Sequence, residues 1–259
     1  MSDLDTILND AVAANDVPFV VAMTGNSGGV TWSGAAGERS PGVPAGEDTL
    51  FKIFSMSKAV GATAAMILID RGRLDLDTPV EEIMPSFAEI QLLEGFDGDT
   101  PRLRAPKIKA TVRHLATHTA GFAYENFNRD IVRYMQVTGF LSIGSGLKSS
   151  LFYPLVSEPG ERWAYSIGVD WLGQIVEEID GRGIDRFCQE EIFDPLGMPD
   201  TCFEVADRLA NRLAAAVLRG EDGHFVDSDL APPSHPEFYG LGNALYSTTP
   251  DYMRFLRMF

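Results

Sequence analysis

Apolar residues recur with two different periods along the chain. Over 4–14, 169–179 and 184–192 they return every three to four positions, which predicts amphipathic helices. The apolar runs Phe19–Met23 and Val30–Trp32 flank a glycine-rich segment, and this pattern predicts two strands joined by a hairpin turn. The chain is therefore expected to contain both kinds of element.

The most uniform apolar segment is Ala59–Ile69, which contains no charged residue. It is apolar nearly all round, and such a pattern predicts a helix buried in a core. Ser55 and Lys58 precede this segment and stand three positions apart, so on a helix they share one face about a turn apart. Gly72 marks the end of the predicted helix.

The spacing of Ser55 and Lys58 suits a nucleophilic pair. A serine hydroxyl is a poor nucleophile until a neighbouring base removes its proton, and a lysine does this only when desolvation lowers its pKa. A buried helix supplies such surroundings. We therefore interpret Ser55 as a nucleophile and Lys58 as its base.

Two other segments match catalytic patterns without the required context. Ser145 and Lys148 form a second S-x-x-K, but they lie in a Gly/Ser-rich stretch with no apolar helix behind it and are interpreted as loop. Residues 25–29 spell G-x-S-x-G after a predicted strand. A nucleophile elbow needs a helix immediately afterwards, whereas a β-rich segment follows here, so a hairpin turn is predicted.

Composition limits the classes of partner. The 259 residues are 45% hydrophobic, enough for a full core, and carry a net charge of −16. This charge repels phosphate backbones and anionic lipid, so neither nucleic acid nor a membrane is expected as a partner. The amino-terminal residues lack the basic start and apolar core of an export signal, and no run reaches the roughly 18 apolar residues of a spanning helix. A cytoplasmic location and free thiols at Cys188 and Cys202 are therefore expected.

The histidines give little support for a metal site. His114 and His118 stand at i and i+4 on a predicted helix, but Leu115 occupies the position of the glutamate in an H-E-x-x-H motif. The four histidines form no close cluster with the two cysteines. We expect structural roles for these histidines, and neither a metal nor a cofactor.

Five segments resemble, in chain order, motifs of the serine β-lactamase and penicillin-binding protein superfamily, in its class C-like branch. Ser55–Lys58 is similar to the first catalytic motif, Leu115–Phe122 to an LLTHTSG stretch, and Trp163–Ser166 to the segment that carries the catalytic tyrosine. Asp194–Met198 and Tyr246–Thr248 match two further recurrent segments. The resemblance runs from about residue 17 to the end of the chain.

The resemblance implies a β-lactamase/transpeptidase-like α/β (α+β) fold, in which helices flank an antiparallel sheet beside a mostly helical domain. The expected division is 1–50 for the first helix and hairpin, 51–239 for the mostly helical region with the site, and 240–259 for a return to the first domain. No K-T-G motif, which the superfamily carries on a later strand, is present. We therefore expect a truncated chain, completed by a C-terminal fragment or second polypeptide that closes the sheet and supplies the second oxyanion donor.

The resemblance also implies a mechanism. Ser55 would form an acyl-enzyme, Lys58 and Tyr165 would act as general base and acid, and the backbone N–H of Ser55 would supply half of the oxyanion hole. Class C enzymes carry Y-x-N at the tyrosine, whereas Ile167 occupies the asparagine position here. The segment in this form resembles family VIII carboxylesterases, so hydrolysis of small-molecule, short-chain acyl esters is expected.

Three alternatives remain at this point. A β-lactamase or D,D-peptidase would use the same residues on amides, an acyltransferase would pass the acyl group to an alcohol, and a non-catalytic member would serve as a binding module. The aromatic residues Tyr124 and Phe127, together with Ile167, are the predicted substrate-binding residues.

Overall fold

The computed structural model describes residues 2–259, which form two compact units. The first unit comprises the chain up to Phe54 together with Gln189–Pro232 and Leu245–Phe259. The second unit comprises Ser55–Cys188 and Pro233–Ala244. Its boundaries therefore differ from the predicted mostly helical region, because the chain returns to the first unit at Gln189.

Short helices and strands alternate along the chain. The helices are α1 (Asp3–Ala13), α2 (Ser57–Asp70), α3 (Val80–Ile83), α4 (Val112–Ala116), α5 (Arg129–Thr138), α6 (Gly168–Asp180), α7 (Ile184–Cys188), α8 (Asp194–Leu196), α9 (Asp207–Ala210) and α10 (Thr249–Leu256). The strands are β1 (Phe19–Asn26), β2 (Gly29–Ser40), β3 (Val43–Pro44), β4 (Leu50–Lys52), β5 (Leu92–Asp97), β6 (Thr100–Arg104), β7 (Val217–Arg219), β8 (Phe225–Asp227) and β9 (Tyr246–Thr248). Turns of 3-10 helix cover Phe54–Met56, Pro85–Glu89, Glu125–Phe127, Ile143–Ser145 and Lys148–Phe152, and a π-helical turn covers Gln189–Phe193.

The first unit contains the predicted hairpin. Strands β1 and β2 pair antiparallel and β3 adds to β2, giving the order β1-β2-β3. The G-x-S-x-G segment forms the turn between Asn26 and Gly29, which confirms the hairpin interpretation. Helix α1 begins with a capping box, in which the Ser2 side chain accepts from the Asp5 N–H and the Asp5 carboxylate accepts from the Ser2 N–H.

Residues 189–232 belong to the first unit because they complete a small core around β4. Leu50, Leu209 and Tyr246 form a buried cluster against which Leu213 and Cys202 pack. Leu50 also forms a parallel bridge with Leu213, while β4 pairs antiparallel with β9. Sequence periodicity carries no information about such long-range pairing, and this explains the difference in the boundary.

The second unit is organised by α2 and α6. The predicted apolar helix lies within α2, and Gly61 allows close packing, since a Cβ there would lie 2.7 Å from Val169 Cγ1 and 2.8 Å from Leu241 Cβ. Val60 and Leu68 are fully buried, whereas Met66 is 51% exposed. The helix is therefore apolar nearly all round but buried on one face.

Two elements lie where no regular structure was predicted. Residues 89–109, expected to be an irregular insertion, contain the β5–β6 hairpin. Helix α5 lies in the aromatic-rich segment after Phe122, where the Asn128 side chain caps it and the left-handed Gly139 ends it. None of the helices formed by residues 2–259 combines the length and apolar character needed to cross a bilayer.

Candidate active site

Ser55 lies in the 3-10 turn that leads directly into α2, and the residue is exposed. The preceding residue, Phe54, has φ of 41°, a left-handed conformation that a bulky side chain rarely adopts. Such a conformation costs roughly 1–3 kcal/mol and persists only where the surrounding structure enforces it. The sharp turn places the Ser55 hydroxyl at the beginning of a buried helix.

The amine of Lys58 has two polar neighbours. Its Nζ lies 3.4 Å from Ser55 Oγ and donates a hydrogen bond of 2.8 Å to the carbonyl oxygen of Gly242. Lys58 is half-buried, one turn into the helix from Ser55. The structure thus brings the predicted nucleophile and base together, with a backbone carbonyl that fixes the amine.

Two tyrosines surround the same amine. Lys58 Nζ lies 4.7 Å from the centroid of the Tyr165 ring and 5.2 Å from that of the Tyr124 ring. The two ring centroids are 5.3 Å apart, and the Tyr124 N–H donates to the Tyr165 carbonyl oxygen at 3.2 Å. Four predicted site residues, Ser55, Lys58, Tyr124 and Tyr165, therefore converge on one point.

Sequence reasoning missed the contact that His118 makes with this group. The His118 ring lies 4.9 Å from the Tyr165 ring, centroid to centroid, and its Nδ1 accepts the N–H of Ser166 at 3.3 Å. Burial, and to a lesser extent the charge of Lys58, lowers the pKa of His118 to about 4. His118 is therefore neutral at neutral pH and braces the tyrosine.

Asp170 is a second residue that sequence reasoning missed. It is 1% exposed, and its Oδ1 accepts the Gly242 N–H at 2.8 Å while its Oδ2 accepts the Tyr124 hydroxyl at 3.4 Å. Burial raises the pKa of this carboxyl group to about 6, although the Lys58 charge and these hydrogen bonds act in the opposite direction. Burial and the Asp170 charge likewise raise the pKa of Tyr124. An acidic residue inside the apolar face of a predicted helix was the signal that marked Asp170.

A cavity of about 500 Å³ lies against the predicted general acid. It is lined by Ala123, Phe127, Asn128, Arg162, Trp163, Ala164 and Tyr165. Phe127 is 73% exposed and Trp163 is 65% exposed, so both aromatic faces are available to a ligand. The cavity therefore presents an apolar surface beside Tyr165.

The other predicted residues lie apart from this cavity or apart from the amine. Phe127 lines the cavity, whereas Tyr124 lies at the Lys58 amine. Ile167 is fully buried at the beginning of α6, where its side chain belongs to the core. Its predicted contact with substrate is corrected accordingly, because a side chain without exposed surface offers a ligand no contact.

The second S-x-x-K and the cysteines lack comparable surroundings. Ser145 and Lys148 lie in two different 3-10 turns, and the Ser145 hydroxyl accepts the Leu147 N–H. Cys188 and Cys202 are free thiols. Within residues 2–259, no three His, Cys, Asp or Glu side chains are grouped so that they could hold a metal ion.

A serine and a lysine one turn apart at the start of a packed helix, with a tyrosine over the amine, define a class of active-site serine proteins that transfer acyl groups. The sequence profile of the Beta-lactamase family matches residues 4–258. The chain belongs to this family, and the predicted superfamily is confirmed.

Curated relatives have informative names. Protein Rv1367c of Mycobacterium tuberculosis is 36% identical over 225 residues, covering 84% of this chain and 55% of that protein. Monacolin J acid methylbutanoyltransferase of Aspergillus terreus is 31% identical over 269 residues, covering 98% and 65%. Lovastatin esterase of Penicillium rubens is 29% identical over 269 residues, covering 98% and 67%. The chain spans between about half and two thirds of the length of these relatives.

Solved structures share the fold. Simvastatin synthase from Aspergillus terreus, in its LovD6 mutant, superposes with a TM-score of 0.89 at 28% identity, covering 98% of this chain and 65% of that one. A class C beta-lactamase superposes with a TM-score of 0.68 at 20% identity, covering 98% and 62%. The predicted β-lactamase/transpeptidase-like fold is confirmed.

Proposed function

We propose that the protein cleaves carboxylic esters through an acyl-enzyme on Ser55. The observation that carries this proposal is the position of Lys58 Nζ, 3.4 Å from Ser55 Oγ and 2.8 Å from the Gly242 carbonyl oxygen. A neutral amine that donates one N–H to Gly242 keeps its lone pair for the proton of the Ser55 hydroxyl. The attack itself then needs no further group to activate the serine.

The two half-reactions follow from these contacts. Ser55 Oγ bonds to the ester carbonyl carbon while its proton passes to Lys58, and the oxyanion accepts a hydrogen bond from the Ser55 N–H. The carbon–oxygen bond of the ester then breaks, and Tyr165 donates a proton to the departing alkoxide. Water attacks the acyl-enzyme in the second half-reaction, which releases the acid and returns the proton to Ser55.

The cavity beside Tyr165 is assigned to the alcohol portion of the substrate. A general acid must lie next to the oxygen that it protonates, and the cavity is lined by Tyr165 but not by Ser55 or Lys58. The exposed rings of Phe127 and Trp163 favour an apolar alcohol. A short acyl chain, a cytoplasmic location and a completing second polypeptide stay predictions.

Esters are preferred to β-lactams in this proposal because the position two residues after Tyr165 offers no amide. Ile167 occupies it and is fully buried. The relative named lovastatin esterase supports ester cleavage as well.

Acyl transfer to an alcohol is a second candidate function. It is favoured by the relative named Monacolin J acid methylbutanoyltransferase, at 31% identity. An alcohol in the cavity and a water molecule would compete for the same acyl-enzyme, so one site supports both outcomes.

The test compares p-nitrophenyl acetate and butyrate with nitrocefin by kcat/KM, using Ser55→Ala as the blank and Ser145→Ala as the matched serine control. The esters should be the better substrates, and turnover should vanish only in Ser55→Ala. A higher kcat/KM for nitrocefin would assign the protein to β-lactam hydrolysis. Adding an apolar alcohol and identifying the products by mass spectrometry separates the transferase, which forms a new ester, from the hydrolase.

A further inference from the structure

Asp170 is a buried carboxylate that the proposed half-reactions leave without a role. It lies in the first turn of α6, and burial raises its pKa to about 6. A buried carboxylate is costly to ionise, and a group with such a perturbed pKa beside reactive side chains is a candidate for function. Its surroundings indicate what that function is.

Gly242 connects Asp170 to Lys58 through its two backbone groups. The Gly242 N–H donates to Asp170 Oδ1 at 2.8 Å, and the Gly242 carbonyl accepts from Lys58 Nζ at 2.8 Å. Both hydrogen bonds involve a group that is charged in one of its states, which makes them stronger than neutral ones. The carboxylate therefore fixes the residue that in turn fixes the amine.

Close packing makes glycine necessary at this position. A Cβ on residue 242 would lie 2.6 Å from Asp170 Oδ2, 2.8 Å from Asp170 Oδ1 and 2.9 Å from the Tyr124 hydroxyl. Any side chain would therefore push the carboxylate away from the Gly242 N–H.

Several titratable groups face Asp170 from the elements packed around it. Lys58 approaches from α2, and its charge lowers the pKa of Asp170. The Tyr124 hydroxyl donates to Oδ2 from the segment that precedes the 3-10 turn at 125–127. Tyr153, fully buried, is close enough for the Asp170 charge to raise its pKa. Lys58 is the group among these that the proposed reaction uses.

We propose that Asp170 is a positioning residue of the active site: it holds Gly242 so that the Gly242 carbonyl orients the Lys58 amine toward Ser55. The inference rests on the proposed function of Ser55 and Lys58. It assigns to Asp170 the orientation of the base, and no contact with the substrate.

The experiment measures the rate at which a fluorophosphonate labels Ser55, separated into kinact and the binding constant KI. Asp170→Ala removes the acceptor and should lower kinact by about 10²-fold, a loss comparable to that of a single misplaced catalytic group, while KI stays unchanged. Asp170→Asn keeps an oxygen for the Gly242 N–H and should retain most of kinact. Gly242→Ala displaces the carboxylate and should resemble Asp170→Ala.

Double variants separate positioning from general destabilisation. If Asp170 acts through the base, Asp170→Ala should cost nothing further in a Lys58→Ala background. Asp251→Ala is the matched control, because Asp251 is also buried and accepts a backbone N–H, that of Asp200 at 2.8 Å. It should lower thermal stability and leave kinact unchanged.

The outcomes distinguish this inference from the proposed function. Wild-type protein that is not labelled at Ser55 overturns the proposed function, and this inference with it. Wild-type protein labelled at Ser55, with a folded Asp170→Ala or Gly242→Ala variant labelled equally fast, overturns the role of Asp170 alone. If Asp170→Ala does not fold, Gly242→Ala and Asp170→Asn supply the comparison, and a Gly242→Ala rate equal to that of wild type still overturns it.

Discussion

The imidazole of His118 lies against the phenol ring of Tyr165, with 4.9 Å between centroids, while its Nδ1 accepts the N–H of Ser166. His118 thereby holds both the ring of the predicted general acid and the backbone that follows it. A proton on Nδ1 would abolish the hydrogen bond from Ser166, so the brace depends on a neutral imidazole. Burial maintains that state by lowering the pKa of His118 to about 4.

The pH dependence of stability tests this brace. The pKa of His118 is lowered on folding, from an ordinary value of 6.5 to about 4, so the unfolded chain binds the proton more readily. The stability associated with neutral His118 is therefore full above pH 6.5 and is lost as the pH falls toward 4. Urea unfolding of His118→Asn should show a weaker loss between pH 7 and pH 4.5 than wild type. An equal loss in both proteins would contradict the assignment.

The Ser55–Lys58 pair has a matched control in the same chain. Ser55→Ala and Lys58→Ala should each lower ester turnover by about 10³-fold or more, because residues that act as a unit fail together. Ser145→Ala and Lys148→Ala, in the second S-x-x-K, should leave kcat and KM unchanged. Steady-state kinetics on p-nitrophenyl butyrate would measure all four. Retained turnover in Ser55→Ala would place the nucleophile elsewhere.

Tyr165→Phe isolates the hydroxyl from the ring. The phenyl ring keeps its contacts with His118, Trp163 and Lys58, so the variant should fold with unchanged thermal stability. Its kcat should fall by about 10²–10⁴-fold, the usual contribution of a positioned proton donor. Esters with a strongly acidic leaving group should lose less, since p-nitrophenolate departs without protonation. Equal losses for p-nitrophenyl and alkyl esters would argue against proton donation to the alcohol.

The cavity makes a prediction about binding. Phe127→Ala and Trp163→Ala should raise KM about 10-fold for esters of bulky apolar alcohols, equivalent to about 1.4 kcal/mol, and leave kcat nearly unchanged. Methyl esters of the same acid should be little affected, because they leave the cavity empty. Leu218→Ala, at another exposed apolar position, is the control. A KM increase of equal size for methyl esters would assign the cavity to the acyl side.

Local signals in the sequence were sufficient for the nucleophile and for several elements. The apolar run after Ser55, the cap and proline before α10 and the glycines of the hairpin turn each act within a few residues, so their patterns survive in the sequence. Asp170 and Gly242 are 72 positions apart and meet only through packing. Ile167 was expected at the substrate because of its place in a motif, but the helix that begins beside it turns its side chain into the core. Motif position therefore predicted chemistry better than it predicted exposure.

Asp170→Asn should make the protein more stable near neutral pH although it lowers reactivity. Burial raises the pKa of Asp170 from 3.8 to about 6, so the folded state binds this proton more tightly than the unfolded chain does. The associated stability is full below pH 3.8 and is lost as the pH rises through 6, a total of about 3 kcal/mol at 1.36 kcal/mol for each pKa unit. Asparagine does not titrate and still accepts from Gly242. Urea unfolding at pH 4.5 and pH 7.5 should therefore show Asp170→Asn gaining stability relative to wild type as the pH rises, and parallel pH dependences would show that this carboxyl group ionises without cost.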